Sequence, residues 1–169
     1  MSDSSAPALN LRVRLLRDFA SSDLFDRTFK EGMALVEETA AYLDGDGRRD
    51  SRLLSREDAL LYAGESMRLT TRLMQVASWL LVQRAVREGE MPPESACDER
   101  YRLGAEDVCR PSDPLQDLPN GLLTLLDRSE RLYERVRHLD RRMYVEEGVT
   151  ETPNPVLRHF DRLRTAFEA

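Results

Sequence analysis

Residues 55–88 read SREDALLYAGESMRLTTRLMQVASWLLVQRAVRE, a stretch without proline and with a single glycine, Gly64. At about 1.5 Å per residue it predicts one helix roughly 50 Å long, the spine of an all-α protein. Ser55, with Asp58 three residues on, resembles a capping box with a shortened acid. Gly89 and then Pro92-Pro93 stop the helix. With about 100° between successive residues, Ala63, Met67, Met74 and Leu81 fall on one side, while Tyr62, Leu69, Leu73, Val76 and Leu80 lie about 100° away. A helix apolar on two sides needs two partners. These are neighbours within the chain or, for part of the surface, a second subunit; homodimerisation along the bundle is the preferred reading, twofold pairing being the commonest closed assembly.

Between the apolar sets runs a polar stripe of Glu65, Arg68, Arg72, Gln75, Trp79 and Gln83. Like charges at Arg68 and Arg72, four residues apart, are unfavourable unless an acid answers them, and Glu65 neutralises only part of the pair. A tryptophan among arginines and amides is the mixture that makes interface hot spots, which marks the stripe as the candidate protein-binding surface. The plainer alternative is a solvated face with Trp79 folded over a neighbouring helix.

Working outward, residues 1–20 read as a flexible N-terminal segment, with the short apolar run Leu9 to Phe19 left unassigned. Ser21 or Ser22 caps a first long helix, whose Phe25, Phe29, Met33, Val36, Ala40 and Leu43 recur at steps of three and four. Gly45 and Gly47 end it by permitting a left-handed residue. Residues 89–117 carry Pro92, Pro93, Pro111, Pro114 and Gly104 and read as a long, partly mobile acidic loop. From Glu88 to Asp117, nine acids face three arginines, 9 − 3 = 6 negative charges, which matches the net charge of −6 for all 169 residues. Asp117 and Pro119 open a third helix. Its Leu118, Leu122, Leu125, Ser129, Leu132, Val136, Leu139 and Met143 form a heptad-like seam that ends at Gly148.

The expected fold is therefore an antiparallel three-helix bundle over 21–147, with a linker and short amphipathic tail over 148–169. Val156, Leu157, Phe160, Leu163 and Phe167 line one side of that tail, a candidate docking segment or an end that packs back on the bundle. Met67, Met74 and Met143 read as core fillers.

No stretch resembles a phosphate-binding loop, a nucleophile elbow or an HExxH helix, so no catalytic, cofactor-binding or metal-binding residue is assigned. Cys97 and Cys109 read as reduced bystanders without a ligand set. The acidic balance disfavours nucleic acid. No apolar run is long enough to insert in a membrane, and the expected location is the cytoplasm.

The stretches FKEGMALVEE at 29–38, ESMRLTTRLMQVASWLL at 65–81 and QRAVREGEM at 83–91 resemble the alphaproteobacterial regulator-of-CtrA-degradation family, RcdA, and the similarity continues through the third helix. Asn154-Pro155-Val156-Leu157 matches less specifically. The resemblance implies a dimeric three-helix-bundle adaptor, not an enzyme, that helps the ClpXP protease degrade cell-cycle regulators such as CtrA. It further implies a protease primed by CpdR, with cargo carried directly or through a cyclic-di-GMP-binding adaptor; recruitment to a cell pole stays open. The alternative is a helical dimerisation or scaffold module of a transcriptional or polar signalling complex without protease contact.

Overall fold

The structure is a computed structural model, and it describes residues 6–104 and 117–144. Among these there are helices and no strands: α1 (Ala6–Ala20), α2 (Asp23–Asp44), α3 (Asp46–Ser51), α4 (Arg56–Arg87), α5 (Pro93–Ala96), a 3-10 turn (Glu99–Tyr101) and α6 (Asn120–Tyr144). The three long helices α2, α4 and α6 are the bundle that the periodicities require, and α4 is its spine, packing against α1, α2 and α6.

Helix limits follow local chemistry. Ser22 accepts the Phe25 amide at 3.2 Å, starting α2. Ser55 accepts the Asp58 amide at 3.1 Å, starting α4; each replaces a hydrogen bond that the first turn lacks. At the end of α2, Gly45 lies at φ −107°, not in the left-handed region, and its amide bonds back to Ala41 and Tyr42 while α3 begins at once. Gly47 sits inside α3, where a Cβ would stand 2.6 Å from the Tyr42 ring. Among the described residues the left-handed glycine is Gly89, φ +75°, just past α4.

Helix direction follows from which residues meet. Glu31 pairs with Arg135 and Glu38 with Arg128, so α2 and α6 run antiparallel. Phe25 and Phe29 meet Arg87 and Arg84, and a Cβ on Gly32 would lie 2.8 Å from Leu80, so α2 and α4 are antiparallel as well. Arg72 meets Ser129 while Trp79 meets Asp140, which makes α4 and α6 parallel to each other. A parallel pair needs a connection that returns the length of the bundle. Residues 88–104 begin that return, with Leu103 at Asp140 and Gly104 at Tyr133.

Two expectations change accordingly. The segment 1–20 is not a flexible leader over its described part, because Val13, Leu16, Phe19 and Ala20 of α1 are buried. Their spacing of three, three and one puts them on one helix face against α4. The loop 89–117 is structured through residue 104: Ala96 is buried beside α1, and Gly104 lies against Gln75 and Tyr133. Residues 105–116 lie outside the described set.

The α6 seam is buried as read, apart from half-buried Leu139, with Leu126, Tyr133 and Asp140 added. On α2 the buried centre is Phe25, Thr28, Gly32, Leu35 and Thr39; Phe29, Met33 and Val36 flank it, and Ala40 is exposed. Small residues there let α2 approach α4 closely. No helix among the described residues is long and apolar enough to cross a membrane.

Candidate functional site

The stripe expected to face a partner faces the interior. Glu65, Arg72, Trp79 and Gln83 are buried, Trp79 at 1% exposure and Gln83 at 0%. Arg68 and Gln75 are half-buried at its margin. Three of its polar heads bond within the bundle. Arg72 donates to Ser129 Oγ at 2.9 Å and to the Leu126 carbonyl at 3.3 Å. Trp79 Nε1 donates to Asp140 Oδ1 at 2.9 Å, and Glu65 pairs with Arg68. Neither amide atom of Gln83 has a hydrogen-bond partner among the described residues. The buried centre of the stripe, Arg72 and Trp79, is thus a polar seam between α4 and α6, while Arg68 and Gln75 stay at its solvent margin.

Asp140 is the node of that seam, a residue the heptad pattern does not single out. Besides Trp79 it accepts from the Leu103 amide at 3.3 Å and from Arg102 Nη2 at 3.3 Å. Tyr133 Oη donates to the Gly104 carbonyl at 2.9 Å. One buried carboxylate and one phenol therefore fasten the returning connection to the α4–α6 groove. Buried acceptors satisfied in this way are costly to remove.

The opposite side of α4 has the reverse character. Leu60 is 70% exposed, Met67 71%, Met74 65% and Leu81 50%. The two methionines expected to fill the core are on the surface, and of the three only Met143 is a core residue. These four large side chains recur every seven residues, and exposed or half-buried small residues lie between them: Ala63, Gly64, Thr70, Thr71, Ala77 and Ser78. Large residues separated by small ones at heptad spacing make a coiled-coil seam. From Leu60 to Leu81 it rises over 21 steps, about 32 Å along the helix. The periodicity groups Met67, Met74 and Leu81 on one side of the helix; what the sequence does not show is that this side faces out.

His138, on α6 beside Arg137, is exposed. Burial pushes the Cys97 thiol up, with Arg12 opposing, so the thiolate that would react is scarce at neutral pH. Among the described residues no group of three or more His, Cys, Asp or Glu could hold a metal ion. Val156, Leu157, Phe160, Leu163 and Phe167 lie outside the described residues, as does Cys109.

An all-helical bundle whose most distinctive surface is an apolar ridge belongs to the class of helical interaction proteins. The profile of the family described as a protein of unknown function, DUF1465, matches residues 16–167. The crystal structure of RcdA from Caulobacter crescentus CB15 is 72% identical over 78% of this chain and 99% of that one, with a TM-score of 0.65. The chain belongs to this family, the one that the stretches at 29–38 and 65–91 resemble. No curated protein matches it.

Proposed function

We propose that the chain is an adaptor of regulated proteolysis, a cytoplasmic protein that brings cell-cycle regulators such as CtrA to ClpXP primed by CpdR. It would carry some cargo itself and other cargo through a cyclic-di-GMP-binding adaptor. The observation that carries this reading is the 72% identity to RcdA across 99% of that chain. It is tested by reconstituting CtrA degradation with ClpXP, CpdR and the cyclic-di-GMP-binding adaptor. Adding this chain should speed loss of CtrA, and an unchanged rate would contradict the reading.

The ridge supports self-association, and it does so through symmetry. About a point between Thr70 and Thr71 the exposed sequence is nearly palindromic: Leu60 mirrors Leu81, Ala63 mirrors Ser78, Gly64 mirrors Ala77 and Met67 mirrors Met74. A twofold interface brings residue i of one copy onto residue j of the other and j onto i, so each surface must complement itself reversed. Antiparallel pairing of two α4 ridges meets that demand, setting leucine against leucine at both ends, methionine against methionine inside them, and small residues where the backbones approach. Homodimerisation therefore stays in the account, on the side of α4 that carries Met67, Met74 and Leu81.

A further inference from the structure

We propose that residues 156–167 of this same chain dock in a cleft at one end of the bundle, between α1, the start of α2 and the last turns of α6. The cleft holds about 230 Å³ and is lined by Leu15, Phe19, Leu24, Leu139, Arg142 and Met143. That is below the roughly 300–1,000 Å³ of small-molecule sites, and it suits one or two side chains of a peptide. Phe19 and Met143 form its buried floor, while Leu15 and Leu24 stand exposed at its rim. Under the floor, Phe19 packs edge-on to Phe25 and tilted on Trp79, both at 5.7 Å. A further aromatic ring entering from outside would extend this cluster in geometry that aromatic pairs favour.

The occupant is picked out by connectivity. Met143 lines the cleft, and α6 ends one residue later at Tyr144. Residues 145–155 then separate it from Val156. Eleven residues span at most about 36–40 Å, several times what a reversal onto the same end requires. The sequence beyond has the right chemistry: Val156, Leu157, Phe160, Leu163 and Phe167 recur at the steps of one helix face. The family profile also runs through residue 167, well past the last described helix. A short tether gives an effective concentration on the order of millimolar, so an intrinsic dissociation constant of about 1 mM would keep the segment docked about half the time. Weak burial of two phenylalanines is enough.

The full chain tests this with Cys97→Ser and Cys109→Ser and a nitroxide label on Ala166→Cys, which lies off the apolar stripe. The methyl signals of Leu15, Leu24 and Leu139 should broaden selectively, leaving Leu53 and Leu81 sharp. Leu24→Asp should abolish the broadening with the other methyl shifts unchanged, since Leu24 is exposed and an acid suits the first turn of a helix. Broadening that is absent, uniform over the molecule, or unaffected by Leu24→Asp would overturn the proposal. So would broadening of isotope-labelled, nitroxide-free copies in a mixture, which would place the segment on a second molecule instead.

Discussion

The inner and outer faces of α4 differ in the opposite sense from the usual helix. Arg72, Trp79, Glu65 and Gln83 point inward, and Leu60, Met67, Met74 and Leu81 point outward. Arg72 and Trp79 are tolerable there because α6 brings Ser129, the Leu126 carbonyl and Asp140 to meet them, and Glu65 because Arg68 pairs with it. The outward apolar groups meet no comparable neighbour among the described residues. A side chain's polarity therefore tells less about its face than the partner that the opposite helix offers. Scattered exposed leucines are ordinary on a protein surface, but a continuous apolar ridge marks an interaction site.

The comparison breaks first at Trp79. Trp79→Ala should cost about 3–5 kcal/mol of folding stability, the range for truncating a large buried aromatic, whereas Met74→Ala should change the stability of the separated subunit by no more than about 0.5 kcal/mol. Chemical denaturation of the two variants side by side measures the contrast; equal losses would mean that the faces are not distinct. Asp140→Ala comes next, at about 1–3 kcal/mol, because the Trp79 indole and the Leu103 amide lose their acceptor in a buried place. Amide exchange should quicken over residues 97–104 in that variant, and an unchanged pattern would show that other contacts hold the connection.

A pH titration sharpens the picture at the other end of the inner face. The Tyr42 hydroxyl is pushed up to about 12, chiefly by burial and then by Tyr62 and Asp50. Below pH 10 the phenol is neutral folded or unfolded; between 10 and 12 the unfolded chain ionises while the folded one holds its proton. The stability contributed by Tyr42 is thus complete below pH 10 and lost as the pH rises through 12. Melting temperatures of the natural chain and Tyr42→Phe should differ in slope across that window, the variant being flatter.

Much of the architecture is legible in the chain because its signals are local. Ser22 and Ser55 cap where serines should, and the α6 seam from Leu118 to Met143 follows a strict three-and-four step. What is not legible depends on partners distant in sequence. Nothing near Trp79 reveals that Asp140, 61 residues on, will receive its indole hydrogen. The parallel course of α4 and α6 likewise rests on a return connection whose anchors, Asp140 and Tyr133, belong to the helix it leads to. With those partners unseen, the arginines and amides of α4 read as surface and its methionines as core. The N-terminal segment is less legible for another reason: among its described residues α1 buries Val13, Leu16, Phe19 and Ala20, and its ordering depends on docking more than on its own propensity.

The smallest effect on the folded monomer and the largest on assembly come from the same pair, Met67→Glu with Met74→Glu, which places charges on both sides of the proposed twofold axis. Sedimentation velocity of this variant beside the natural chain, with a melt of each, tests the outward ridge most directly. The account predicts a dimer for the natural chain and a monomer for the variant, with melting curves for the separated subunits that superimpose. A variant that still sediments as a dimer, or a natural chain that stays monomeric at every concentration, would contradict it.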